Sequence, residues 1–335
     1  MANIREVSRI AGVSTATVSR ALSTPDKVSK KTLAKVEQAV AQAGYRPNLM
    51  ARNFRSTRAY ALLVLVPDIT NLFFAELIQA IEDTAQRAGY SVLLGDTRDS
   101  HKREEDYIQL VETRQADGII QLRPYRPGEQ PAQGLNVVSA AGCSDAPCFG
   151  ARIDNRAAAC ALVTQLISIG HQRIGIVGGL SDNPHHLERL SGYRQALETA
   201  GIEEHANLLQ EGDFTLGAGY QAGQYFAALP HEQRPTALFC MNDDMALGAM
   251  RALREAGLSI PGDMSIAGFD NCEYARYANP PLTTIAQPAR EMGQAAAETL
   301  ISMIEGNPAP QQDLVLPFEL VLRDSVGPPT QPASV

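Results

Sequence analysis

From Ala59 onward, short apolar runs alternate with amphipathic stretches of helical length, and this alternation narrows the possible architectures more than any other feature. The runs are ALLVLVPD, SVLLGDT, GIIQL, NVVSA, RIGIVGG, LLQEGDF, TALFCMND and MSIAGFD. A strand that is apolar at nearly every position has both faces buried, as in a parallel sheet covered by helices on either side. About 270 residues of this pattern exceed one such core and imply two doubly wound sheets, an α/β body of two lobes. Ligands of open α/β sheets lodge beyond the carboxyl ends of the strands. The segments of interest are therefore 67–74, 178–189, 212–214, 242–244, 270–271 and position 287.

Charge divides the chain differently. Residues 1–58 hold eleven Lys or Arg against Glu6, Asp26 and Glu37, a net of +8, whereas the whole chain carries −8, which leaves −16 on the other 277 residues. A basic head on an acidic body suits a polyanion at one end only. Basic residues alone are as readily a solvated face, so the pattern inside the head decides.

Ile4, Val7, Ile10 and Ala11 recur at three- and four-residue spacing and predict a short amphipathic helix stopped by Gly12. Ser14 can cap a second helix, residues 15–22, whose Val18, Ala21 and Leu22 face inward. Thr15, Ala16, Thr17, Ser19 and Arg20 are left outside: small or hydroxylated side chains and one cation, suited to base edges and phosphates in a major groove. A third helix, capped by Ser29 and ended at Gly44, completes a three-helix core through Leu33, Val36, Val40 and Ala43. The charge, the glycine turn and the exposed face together favour a helix-turn-helix over a bundle without a DNA role. The next segment, 45–58, is too short for a core and reads as a hinge. Asn48 can cap a helix of one to two turns carrying Met50, Ala51 and Phe54 between arginines. Phe54 is a candidate wedge between minor-groove base steps, or packs against the body or a second subunit.

At the strand ends of the body stand Phe73, Phe74 and Phe214 beside Asn71, Arg189, Asn242, Asp270 and Gln287. Taken singly each has a structural reading: Asp270 capping a loop, Phe73 filling core. Together, aromatic faces for a ring and directional amide, guanidinium and carboxylate groups for hydroxyls fit a sugar or nucleoside.

Other classes fit less well. The N-terminus MANIREVSRIAG has no apolar h-region, and no stretch approaches the roughly 18 apolar residues of a membrane span, so a cytoplasmic protein without membrane contact is expected. Cys143, Cys148, Cys160, Cys240 and Cys272 lack paired spacing and read as reduced thiols rather than disulfides or a zinc site. Neither GxGxxG nor GxxxxGK[ST] follows a strand, and HExxH and GxSxG are absent. No enzyme activity, cofactor or metal is expected, and His185 and His186 are read as loop residues beside the pocket, there for ligand contact or solvent.

VSRIAGVSTATVSRAL, the VSKKT helix start, GYRPN and the short hinge resemble the LacI/GalR family of bacterial repressors, and the likeness runs the length of the chain. STATVSRAL, NPPLTTIAQP and GDFT bring it nearest to nucleoside-responsive members. The resemblance implies an all-α helix-turn-helix head (1–45), a hinge helix and linker (46–58) and a periplasmic-binding-protein-like effector and dimerisation body (59–326). It implies that Thr15, Ala16 and Arg20 read bases and that Ser14, Thr17, Ser19 and Asn48 touch phosphates, with Phe54 where leucine is usual. It also matches the eight pocket residues to ribose-contacting positions of ribose-binding proteins. Ser139-Ala140 is read as standing after the fourth strand, in place of their Asp-Arg pair, leaving room for a base. A nucleoside such as cytidine or adenosine is the expected effector, with free ribose or another sugar as the alternative and a cytoplasmic solute-binding module as the rival class.

One short recognition helix makes few base contacts, so two heads on palindromic double-stranded operator DNA, held by a homodimeric body, are expected. From residue 307 the run NPAPQQDLVLPFELVLRDS is expected to supply one apolar strand that finishes the body, and residues 327–335 to be a disordered tail.

Overall fold

The computed structural model describes residues 3–23, 27–45, 58–144 and 146–330. The chain divides into two units, Met1–Tyr60 and Ala61–Val335, close to the boundary expected at Ala59.

In the first unit lie α1 (Ile4–Ala11), α2 (Thr15–Ser23) and α3 (Lys30–Ala43). Helices α1 and α3 end at the glycines and α2 and α3 open after the serines that the sequence marks, while α2 runs one residue past the expected Leu22. The Asn3 side chain accepts from the Glu6 amide to cap α1, and Gly12 closes it in the left-handed region at φ 64°. Ser29 accepts from the Thr32 amide at 3.2 Å to open α3, and Gly44 (φ 60°) ends it. Val7, Ala11, Val18, Ala21, Val36 and Ala39 form the buried core, one apolar stripe from each helix.

The second unit holds two six-stranded sheets. Lobe 1 has the order β11-β5-β4-β3-β1-β2, from β1 (Ala61–Val66), β2 (Ser91–Asp96), β3 (Ile119–Gln121), β4 (Val137–Ala140), β5 (Gly150–Arg152) and β11 (Leu314–Val315), all parallel. Lobe 2 has the order β12-β10-β9-β8-β6-β7, from β6 (Ile174–Val177), β7 (Leu209–Gln210), β8 (Ala237–Cys240), β9 (Ser265–Asp270), β10 (Thr283–Ala286) and β12 (Glu319–Val321). Only β12 of lobe 2 is antiparallel. The eight runs picked out from the sequence are β1–β4 and β6–β9.

Helices α4 (Leu72–Arg87), α5 (His101–Glu112) and α10 (Ala289–Ile304) cover lobe 1, and α6 (Asn155–Ser168), α7 (Pro184–Ala200), α8 (Leu216–Ala228) and α9 (Asp243–Glu255) cover lobe 2. The chain thus passes between lobes three times, at 153–154, 287–288 and 316–318. Helices α8 and α9 cross in close contact because glycine stands at the crossing. A Cβ at Gly219 would fall 2.0 Å from the Met245 carbonyl oxygen, and one at Gly248 2.1 Å from that of Leu216. Among the described residues no helix is long and apolar enough to cross a membrane.

Two expectations about the C-terminal segment are corrected. LVLPFELVLRDS is not one strand: β11 adds to β5 in lobe 1 and β12 to β10 in lobe 2, with Pro317, which lacks an amide donor, at the passage between them. The tail does not lose order at 327. The Gly327 carbonyl accepts from His171 Nε2 (2.9 Å) and Ser265 Oγ (3.0 Å), and the Thr330 hydroxyl donates to the Gly262 carbonyl. Polar anchors inside lobe 2 hold a segment whose proline-rich composition suggested nothing to hold it; residues 331–335 lie outside the described residues.

Candidate functional site

On the head, Ser14, Thr15, Ala16 and Arg20 are exposed and Thr17 and Ser19 half-buried, while Val18 and Ala21 face the core. Ser14 Oγ accepts from the Thr17 amide at 3.1 Å and pairs with its hydroxyl at 2.9 Å. This cap aligns the first turn of α2, whose outermost amides have no partner within the helix and form an anion-attracting end. Asn48, Ala51 and Phe54 lie outside the described residues.

In the body, a cavity opens at the carboxyl ends of both sheets. Strand order reverses at β1 in lobe 1 and β6 in lobe 2, where the loops part and leave a crevice. Four helices begin at its wall. Asn71 accepts from the Phe73 amide (3.0 Å), Asn183 from His185 (2.9 Å), Thr215 from Ala218 (3.2 Å) and Asn242 from Met245 (2.9 Å). Asn242 also donates to the Phe214 carbonyl at 2.8 Å, so its amide shapes the wall as well as lining it. Phe73 and Phe74 lie with ring centroids 5.6 Å apart. Phe214 lies over Gly179, where a Cβ would come within 2.0 Å of the ring; glycine there lets the ring lie flat on the backbone.

The polar centre is Arg189 with Asp270. Arg189 Nε donates to Asn155 Oδ1 at 3.0 Å, Nη1 donates to the Met241 carbonyl, and the guanidinium lies 3.7 Å over the Phe269 ring. Its Nη2 is 3.9 Å from Asp270 Oδ1, which accepts from Gln287 Nε2 at 2.7 Å. Beneath them Asp243 is fully buried and accepts from the Cys272 amide (2.8 Å) and the Thr284 hydroxyl (2.6 Å), tying the start of α9 to β10.

Burial pushes the Asp270 carboxyl up to about 8, against the pull of Arg189, and Asp243 up to about 7, against its hydrogen bonds to Thr284 and Cys272. Both acids hold protons in the fold that they release when unfolded, where a carboxylate titrates near 4. Their contribution to stability is therefore complete below that value and is lost as pH rises through about 7 and 8. The thermal midpoint of the ligand-free protein is expected to rise as pH falls from 8.5 to about 5.5; a midpoint that rises with pH across this range contradicts the assignment.

Of the residues expected to bind effector, Asn71, Phe73, Phe74, Arg189, Phe214, Asn242 and Asp270 line this one cavity. Gln287 stands one step behind and holds Asp270. Asp68, Asn183, His185 and Asp213 line it from within the segments marked as strand ends, whereas Asp99, Arg123, Pro124 and Thr215 come from outside them. Ser139 and Ala140 do not follow the fourth strand: they are its last two residues, fully buried, and Ala141 and Gly142 come after them. Just beyond, Cys143 Sγ lies 3.2 Å from His185 Nδ1. His185 and His186 are not in a loop; Pro184 starts α7, and both sit in its first turn. Burial, with Arg189 nearby, pushes the His185 imidazole down to about 3, so it stays neutral.

Similarity to known proteins covers both units. Residues 3–48 match the family model for bacterial regulatory proteins of the lacI family, and 163–326 that for a periplasmic binding protein-like domain. The chain is 40% identical over 329 residues to the HTH-type transcriptional repressor CytR of Escherichia coli K12, covering 97% of this chain and 96% of that one. It is 36% identical to the HTH-type transcriptional repressor PurR of Vibrio atlanticus, covering 97% and 99%. The lac repressor dimer bound to operator and the anti-inducer ONPF superposes with a TM-score of 0.85 at 28% identity, over 96% of this chain and 98% of that one. With relatives this similar along nearly its whole length, the chain belongs to the LacI family of bacterial regulatory proteins.

Proposed function

We propose that the protein is a cytoplasmic transcriptional repressor that binds a palindromic operator as a homodimer and whose operator affinity is set by a ribonucleoside such as cytidine or adenosine in the cleft. The observation that carries the effector half is the composition of the cavity. Three phenylalanines offer faces for a planar ring, and the Arg189–Asp270–Gln287 set offers fixed donors and an acceptor for a vicinal diol. The exposed face of α2, with Thr15, Ala16 and Arg20 outward, supports the DNA half, and two copies supply the contacts one short helix lacks. The hinge residues Asn48, Ala51 and Phe54 complete the proposed DNA surface.

Calorimetry with cytidine, adenosine, uridine and ribose, paired with operator binding measured by fluorescence anisotropy, tests the reading. Saturable binding of a nucleoside that shifts operator affinity by roughly five- to a hundredfold is expected. Ribose binding more tightly than every nucleoside, or operator affinity indifferent to all four, overturns it.

A further inference from the structure

The helix starts around the cavity share a feature that bears on which ligands it accepts. An uncapped helix N-terminus attracts anions, and several aimed at one cavity would make a phosphate site. Here each start carries an aspartate of its own. Asp68 lies three residues before the Asn71 cap of α4, Asp99 directly before the Ser100 cap of α5, and Asp182 directly before the Asn183 cap of α7. Asp213 lies two residues before the Thr215 cap of α8, and Asp243 is the first residue of α9. A helix end is worth about half a positive charge and a carboxylate a full negative one, so Asp68, Asp99 and Asp213, which line the cavity, offset their ends. Asp182 is paired with Arg126 at 2.9 Å, and the buried Asp243 carboxyl is raised to about 7.

The cations do not restore the balance. Arg123 reaches the cavity wall, yet both Glu104 oxygens accept from it at 2.7 and 2.9 Å and Glu129 at 2.6 Å, so two carboxylates answer one guanidinium. Arg189 stands beside Asp270, whose carboxyl burial raises to about 8, so one positive charge faces the three acids Asp68, Asp99 and Asp213. Asp68, Asp99 and Asp213 are left lining the cavity as an excess of negative charge. Burial is the largest cause that raises the Asp99 carboxyl; Arg126 and Arg123 pull it down, and the smaller effects of Asp182 and Asp68 push it up.

We infer that the cavity accepts an uncharged ligand and rejects its phosphorylated counterpart, because the chain's own aspartates already occupy the positive helix ends that a phosphate would need. This rests on the nucleoside reading for the ligand's identity and adds its charge. A reaction that transfers a phosphoryl group onto the ligand would thereby remove it from the regulator's view, and one that hydrolyses the phosphate would supply it.

Calorimetry on the full chain with cytidine and adenosine against their 3′- and 5′-monophosphates decides the point. Each nucleoside is expected to bind at least about a hundredfold more tightly than its monophosphates. Asp68→Asn and Asp213→Asn are expected to narrow that gap roughly tenfold each. Asparagine Oδ1 can still accept from the Thr70 and Thr215 amides, now held by Asp68 at 2.8 Å and Asp213 at 3.0 Å, so both variants should fold. Monophosphates binding as tightly as nucleosides overturns the inference and leaves the nucleoside reading standing. An unchanged gap in the double variant also overturns it, by placing the rejection in shape rather than charge. Binding of neither form overturns both readings.

Discussion

Asp270→Asn is expected to lower nucleoside affinity roughly a hundredfold while changing the unfolding free energy by less than about 1 kcal/mol. Asp270→Ala is expected to lose the affinity and about 3 kcal/mol of stability as well. The difference follows from what the carboxyl group does within the fold. Its pKa is already pushed up to about 8, so near neutrality the fold gives up little when the charge is removed, and asparagine Oδ1 can still accept from Gln287. Alanine leaves the Gln287 amide without that acceptor and the buried Arg189 without its nearest carboxylate. It also places a residue without a side-chain amide or carboxyl at φ 112°, where Asn and Asp are better tolerated. A ligand diol, by contrast, needs the second carboxyl oxygen as an acceptor, and with Oδ1 held by Gln287 asparagine offers only its amide nitrogen there. Urea unfolding and calorimetry on both variants separate the two effects; equal ligand affinity in wild type and Asp270→Asn removes Asp270 from the binding set.

Gly248→Val is expected to destabilise the body by about 3 kcal/mol or more, among the larger effects a single substitution has. The obstacle at 2.1 Å is the Leu216 carbonyl, a backbone group that cannot turn aside, so α8 and α9 must separate along their crossing. Gly219 faces the same constraint from Met245. Gly217, two residues before Gly219 on α8 and exposed, meets nothing nearer than 3.7 Å. Gly217→Ala should instead stabilise the helix by up to about 1 kcal/mol. Denaturant unfolding of the pair checks the contrast, and similar midpoints for both variants would show that the crossing relaxes freely.

The legible parts of the fold were those in which one residue type has one use. Gly12 and Gly44 end helices, Ser14 and Ser29 open them, and the eight apolar runs are strands, six of them buried along nearly their whole length while the edge strands β2 and β7 are partly exposed. The missed strands lacked that pattern: β5 is Gly150–Arg152 and β10 is TTIA, threonines buried by their place between β9 and β12 rather than by apolarity. In the cavity, residues directly after strands were found because sheet topology places them. Asp99 and Arg123 were not marked, since a charged residue after β2 or β3 reads as solvent-facing until the second lobe is brought over it. Ser139-Ala140 was misplaced because an apolar run does not show where its last hydrogen-bonded pair falls; Ala140 still pairs with Ala151.

The three passages between lobes bear on the order in which the protein takes shape during synthesis. The head is complete by about residue 45, and lobe 2 lacks only β12 once β10 has emerged. Lobe 1 is the first of the two lobes to leave the ribosome and the last to be finished: the face over β3, β4 and β5 lacks its helix until α10 arrives beside α4, and its edge is unpaired until β11. A nascent chain halted near residue 288 would therefore carry a folded head, a nearly whole second lobe and an open first one, the exposed intermediate that chaperones hold.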